Sequence, residues 1–253
     1  MRQLITYGCS YTAGFLDTNG LIPESGTYRE YYDFRGGSFP KIYPEILAEE
    51  NNLKLLNYAL GGSSNTKQFW IATETYENWN KGDIVLFQST FGHRYQFTHE
   101  FTHDDSKVIS WRSFESDCHP GTSKSFKPDV SYSAQAELLV NRSRIQQQRE
   151  VIACVRAIKG LATAKQCSFI WVPFDEQSIA YALDNKWEHL NIIDDMVVHY
   201  PISDEPKILG YFPEEIPDTI LKETNGKILD YHHSEVGNKL QAEIISPKLR
   251  KFL

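Results

Sequence analysis

Gln3-Leu4-Ile5-Thr6-Tyr7-Gly8-Cys9-Ser10-Tyr11-Thr12 opens the chain with a short β-prone run that stops at a glycine, and a serine follows just beyond it. The run reads as a strand. A serine placed past a strand and a glycine turn is presented at the edge of a sheet, with its Oγ accessible to an acyl carbon. The same pattern also describes an ordinary turn, so the rest of the chain has to decide between the two.

Outward from this stretch, strand-like and helix-like segments alternate. Pro40 to Asn51 carries Ile42, Tyr43, Ile46 and Leu47 at helical spacing. Leu53 to Tyr58 reads as a second strand, and Thr66 to Trp79 as a helix. Asp83-Ile84-Val85-Leu86-Phe87 is a continuous apolar run, the pattern of a strand buried on both faces. Ser133 to Ala164 predicts a long helix, Ser168 to Pro173 a fourth strand, and Leu190 to Ile193 a fifth. Ser234 to Leu253 closes the chain as an amphipathic helix with Ser234 at its N-cap. Alternation of this kind predicts an α/β fold of three layers, α/β/α, with a mostly parallel sheet of about five strands. Ligand-binding loops then lie at the carboxyl ends of the strands. Residues 95 to 132 break the alternation and read as an irregular insertion in a single domain spanning residues 1–253.

Composition removes several function classes. Net charge is −7, without a block of Lys or Arg, which argues against a nucleic-acid partner. No apolar run approaches the roughly 18 residues of a membrane helix, and the start lacks the apolar core of a signal peptide, so a cytoplasmic protein is expected. Cys9, Cys118, Cys154 and Cys167 show no paired spacing, against a zinc ribbon or a disulfide scaffold. No dinucleotide or Walker-type glycine loop is present, and no cofactor is expected.

Two further stretches carry chemistry. Asn57-Tyr58-Ala59-Leu60-Gly61-Gly62-Ser63-Ser64-Asn65 follows the second strand, and its small residues leave backbone N–H groups unobstructed, as an oxyanion hole requires. It also reads as a helix entry capped by Ser63 or Ser64. Asp230-Tyr231-His232-His233-Ser234-Glu235-Val236-Gly237 sets an aspartate two and three residues before histidines, at the entry to the last helix. An aspartate there holds one imidazole nitrogen and leaves the other to act as base; a solvated loop with a capping serine is the alternative.

The order of these three blocks resembles the SGNH/GDSL hydrolase family, over residues 3 to about 245. Gly8-Cys9-Ser10-Tyr11-Thr12 stands where that family has Gly-Asp-Ser-x-Thr. The resemblance implies a flavodoxin-like sheet and hydrolysis of a small acyl ester, often an acetyl ester on a carbohydrate. It assigns Ser10 as nucleophile, Asp230 and a histidine as its partners, and the Ser10 and Gly62 N–H groups as the oxyanion hole. A small-molecule or glycan ester is then the expected substrate, with neither membrane nor metal involved. Three departures stand out. Cys9 replaces an aspartate outside the triad. Phe87-Gln88-Ser89-Thr90-Phe91-Gly92-His93-Arg94 lacks the family's oxyanion asparagine, which leaves Asn65, Ser89, Thr90 and Arg94 as substitutes. The histidine register conflicts as well: the family spacing selects His233 when counted from Asp230, and His232 when counted back from Gly237. Position relative to the final helix favours His232.

Two rivals follow from the same sequence. The missing asparagine fits a non-catalytic binding module on this fold. His99-Glu100-Phe101-Thr102-His103 matches the zincin pattern, which on a helix would make a zinc peptidase of His99, Glu100 and His103. Gln96-Phe97-Thr98 and Phe101-Thr102 favour extended structure instead.

Overall fold

The computed structural model describes residues 1–16, 20–90, 94–103, 106–115, 144–173, 193, 219–230 and 232–253. Its main sheet is parallel throughout, built from β1 (Gln3–Tyr7), β2 (Lys54–Asn57), β3 (Ile84–Gln88) and β6 (Ser168–Val172) in the order β2-β1-β3-β6. The order reverses direction between β1 and β3, which is the switch point of a flavodoxin-like sheet. β1 pairs β2 from Gln3↔Lys54 to Thr6↔Asn57, and β3 from Leu4↔Ile84 to Tyr7↔Phe87.

The continuous apolar runs of β1 and β3 are explained by cover on both faces. Ile5, Tyr7, Val85, Phe87, Phe169 and Trp171 point one way, into a core with Val151, Ile152, Val155 and Ile158 of α5 (Arg144–Ala164) and Ala72 of α4 (Asn65–Glu74). Leu4, Ile84, Leu86, Ile170 and Val172 point the other way, against Tyr43 and Leu47 of α3 (Tyr43–Glu50) and Ala242, Ile245 and Leu249 of α7 (Glu235–Leu249). This is the three-layer α/β/α arrangement. The site is framed by a satellite core of Phe15, Tyr31, Ile42, Ile220 and Ile228, with Tyr28 and Phe39 packed on it. That core joins α2 (Thr27–Phe34) to the short α6 (Ile220–Glu223) and to the Ile42 entry to α3.

Four strands of the main sheet are described. Of the Leu190–Ile193 run, only Ile193 lies within the described residues, and its N–H donates to Trp171 O at 2.9 Å. The Val172 carbonyl faces β3, where it accepts from Ser89 N, so the Trp171 carbonyl lies on the outer edge of β6. Part of the expected helix over Ser133–Ala164 also lies outside the described residues. Trp70 is half exposed on α4, whereas Trp79 and Trp171 are buried.

The excursion is not irregular over its first part. β4 (Arg94–His103) and β5 (Ser106–Glu115) form an antiparallel hairpin, in register from Arg94↔Glu115 to His103↔Ser106. Frequent Thr, Phe, Tyr, Val and Ile make these segments strand formers. The zincin reading is overturned here. It needs a helix, which sets histidines four apart on neighbouring turns; a strand sets the His99 and His103 positions about 13 Å apart.

Candidate active site

Three strand-end loops and the entry to α7 meet at the carboxyl edge of the sheet. Ser10 is the first residue of α1 (Ser10–Ala13), directly after β1 and at the switch point. Gly8 is required by packing. A Cβ there would lie 2.9 Å from Thr12 Cβ and 3.1 Å from Gln88 Cβ, and nearer still to Thr12 Oγ1. Thr12 Oγ1 in turn donates to Gln88 Oε1 and is bonded to the Tyr43 hydroxyl at 2.8 Å, which anchors the turn to β3 and α3.

Both backbone groups of Gly8 are held from the β2 side, its carbonyl by the loop after β2 and its N–H by α4. Gly8 N donates to Gln68 Oε1 at 3.1 Å, while Gly8 O accepts from Leu60 N at 3.0 Å and from Ser63 Oγ at 3.0 Å. Gln68 Nε2 closes the ring by donating to Ser63 Oγ at 2.7 Å. Asn57 adds a second tie, since its Nδ2 donates to Thr12 O while its Oδ1 accepts from Ala59 N. Ser64, not Ser63, is the N-cap of α4 and accepts from Lys67 N at 3.1 Å. Gly62 takes a left-handed φ of +70°, and a Cβ there would meet nothing within 4 Å. The loop thus turns at Gly62 with open space over its α-carbon, beside the serine turn.

The entry to α7 supplies the histidine. His232 Nε2 lies 2.7 Å from Ser10 Oγ, and His232 Nδ1 lies 2.5 Å from Asp230 Oδ1. The same Oδ1 accepts the His232 backbone N–H at 2.7 Å, so Asp230 forms an Asx turn that fixes ring and backbone together. Ile220 N and Leu221 N at the start of α6 donate to His232 O and Asp230 O, pinning the loop from behind. The Asp230 side chain is 10% exposed and that of His232 25%, so the carboxylate is sheltered while the imidazole remains accessible. With Asp230 on Nδ1, the tautomer that carries its proton there leaves Nε2 to accept from Ser10.

His233 points the other way. It is buried, with its ring edge-on to Tyr11 at 5.5 Å, and burial followed by the neighbouring His232 lowers its pKa to about 3. The structure thus brings His232, and not His233, to Ser10. The spacing is Asp-x-His because an Asx turn needs the aspartate two residues before the ring it orients.

Of the residues weighed as substitutes for the missing asparagine, Asn65 and Ser89 are engaged elsewhere. Asn65 is turned inward, with Nδ2 donating to Thr90 O at 2.9 Å and Oδ1 accepting Thr90 N at 2.8 Å. Ser89 Oγ accepts the Trp171 indole N–H at 3.0 Å, and Ser89 N donates to Val172 O. Both shape the end of β3. Thr90 is buried there, and Arg94 is the first residue of β4.

Two aromatic residues frame the imidazole. Tyr11 lies 4.5 Å from His232 between ring centroids, tilted 31°, and Tyr28 meets it edge-to-face at 5.4 Å and 79°. Sequence reasoning missed Gln68 entirely; a buried-facing glutamine on α4 was the only available sign of it.

No protein-family model matches the chain, and no curated protein matches it. Solved structures do resemble it. One is a protein assigned to the G-D-S-L lipolytic family from Desulfitobacterium hafniense DCB-2, 11% identical, with 98% of this chain and 99% of that one covered at a TM-score of 0.48. Another is a carbohydrate esterase whose active site displays divergent catalytic and non-catalytic binding functions, 12% identical, covering 100% of this chain and 67% of that one at a TM-score of 0.48. A third, a lipolytic G-D-S-L protein from Veillonella parvula DSM 2008, is 13% identical and covers 97% of this chain and 96% of that one at 0.40. Likenesses this distant carry no chemistry over to this chain, which must be judged on its own site.

Proposed function

We propose that this chain is a divergent SGNH/GDSL-type serine ester hydrolase, a single domain across residues 1–253. The observation that carries the reading is the unbroken hydrogen-bonded chain from Asp230 through His232 to Ser10, set at the switch point of the sheet. Each member has the role its neighbours allow. Ser10 Oγ attacks the ester carbonyl and passes its proton to His232 Nε2. Asp230 holds the Nδ1 proton and stabilises the imidazolium that forms. The Ser10 and Gly62 backbone N–H groups receive the oxyanion, and His232 then gives its proton to the departing alcohol. Water repeats the sequence on the acyl-serine.

The acyl group is small, with acetyl on a carbohydrate the first candidate. That choice rests on the sequence resemblance alone. The test is labelling of the purified full chain with a fluorophosphonate, followed by peptide mass spectrometry. An adduct on Ser10 that is absent from Ser10→Ala is expected. Folded protein that takes no label would overturn the reading and leave a binding module in its place.

A further inference from the structure

We infer that Tyr11 is a positioning residue for the proposed reaction: its aromatic face lies on the His232 imidazole and favours the imidazolium that forms when Ser10 Oγ gives up its proton. The inference rests on the serine-hydrolase reading above.

The ring contact is the first observation. The Tyr11 and His232 rings lie 4.5 Å apart between centroids and are tilted by 31°, nearer to face-on-face than to edge-on. Tyr28 meets the same imidazole at 79°, so the two tyrosines do not stand in the same relation to it. A cation over an aromatic face, within about 6 Å of the centroid, is attracted by the negative face of the ring quadrupole. A neutral imidazole gains much less from that face. The contact therefore strengthens as the imidazole takes up a proton, and an interaction stronger in the transition state than in the ground state raises the rate.

The surroundings leave this contact in place. The hydrogen bonds of His232 to Asp230 and Ser10 run from its two ring nitrogens, in the plane of the imidazole, and so do not compete for its face. The His232 side chain is 25% exposed, which limits screening of the attraction by solvent. Tyr11 also meets His233 edge-on at 5.5 Å and 72°, but burial keeps that ring uncharged down to about pH 3. No second imidazolium then opposes the first. Tyr11 follows Ser10 directly in α1, so the nucleophile and the ring that faces the base are set by one turn of backbone. That turn is anchored through Thr12 to Gln88 and Tyr43.

The step balances without Tyr11 exchanging an atom. As the Oγ–C bond forms, the Oγ proton goes to His232 Nε2 and the carbonyl π pair moves onto the carbonyl oxygen. Collapse re-forms the carbonyl, breaks the bond to the alcohol and passes the proton from Nε2 to that alcohol. Water repeats the cycle on the acyl-serine, its proton travelling through Nε2 to Ser10 Oγ. The imidazolium arises in both halves, so the Tyr11 face acts in both.

The test varies the electrons of the ring and leaves its shape nearly constant. Tyr11→Phe is the reference, followed by phenylalanines that carry one, two and three ring fluorines at the same position of the full chain. With p-nitrophenyl acetate as probe, stopped-flow measurement separates the acylation burst from steady-state deacylation. Both rate constants are expected to fall stepwise with each fluorine, to about 10-fold below the Phe variant, at unchanged melting temperature. A monofluorinated tyrosine, which keeps the hydroxyl, gives the same reading should Tyr11→Phe not fold, with a fall of about 2-fold expected. Rates that stay flat across the folded series, beside an active wild type, would overturn the inference and leave the serine-hydrolase reading intact. So would a fall that only follows a falling melting temperature, which is the mark of packing. A wild type with neither burst nor Ser10 adduct would overturn the underlying reading, and this inference with it.

Discussion

Arg35, the residue that caps α2, and Glu235, the first residue of α7, are joined at 2.6 Å, and the second arm of the same guanidinium reaches Glu223 of α6 at 2.6 Å. The bridge spans most of the sequence and ties the helix that carries Tyr28 to both sides of the loop that carries His232. Its strength is uneven. Arg35 and Glu223 are 18% and 24% exposed, whereas Glu235 is 41% exposed and its share is screened by solvent.

Arg35→Met should therefore act mainly through Glu223, left partly buried without its cation and still bonded to Tyr31. A destabilisation of about 2 kcal/mol is expected, between the values for exposed and fully buried pairs. Urea denaturation of the full chain measures it. A loss below about 0.5 kcal/mol would mean that the bridge contributes no more than a surface pair.

The histidine next to the catalytic candidate sets a pH dependence of stability. His233 titrates at about 3 in the folded protein, below its ordinary value of 6.5, because burial disfavours its charged form. The unfolded chain binds a proton near pH 6.5 and the folded chain does not until about 3. Stability is thus fully present above pH 6.5 and is lost as the pH falls, at up to about 1.4 kcal/mol per pH unit. Glu235, lowered to about 2 chiefly by its bonds to Lys239 and Arg35, adds a loss only below its ordinary 4.5. The window from 6.5 to 4.5 isolates His233 between these two. Denaturation midpoints there should fall with pH in the wild type and flatten in His233→Gln; equal slopes in the two proteins would refute the assignment.

Gln68 tests whether the two glycine-rich turns act as one unit. Its side chain is 1% exposed and bonds Gly8 N at one end and Ser63 Oγ at the other. Gln68→Leu preserves most of the volume and strands a buried backbone N–H, at a cost of about 2 kcal/mol. Because that N–H belongs to the turn before Ser10, kcat should fall several-fold while KM changes little. A stability loss without any change in kcat would place the ring in the fold alone.

How much of this could be read beforehand follows from how local each cause is. β1 and β3 were legible because burial on both faces writes itself as an unbroken apolar run. Ser10 and Asp230 were legible because the first follows a strand and the second precedes a capped helix. The β4–β5 hairpin was only partly legible: its residues favour strands, but nothing local indicates what they pair with. The hold on α2 beside the site was not legible, because the bonds that fix it run from Arg35 to Glu223, 188 residues away. Gln68 was hidden for a similar reason: its partner Gly8 lies 60 residues distant. The sequence favoured His232 over His233 by its position relative to the final helix, and the Asx turn at Asp230 is the local cause of that register.

That choice yields the sharpest contrast between neighbouring residues. His232 bonds Ser10 Oγ and Asp230 and is partly accessible, whereas His233 is buried against Tyr11. His232→Ala should abolish fluorophosphonate labelling of Ser10 and lower turnover by about 10⁴-fold or more, on the scale of a lost triad member, with little change in melting. His233→Ala opens a cavity beside Tyr11 and should cost about 2 to 3 kcal/mol, while Ser10 still takes the label in the folded fraction. Peptide mass spectrometry and thermal melts on the two variants separate the cases. Labelling retained in His232→Ala and lost in folded His233→Ala would reverse their roles and remove the Asx turn at Asp230 from the catalytic account.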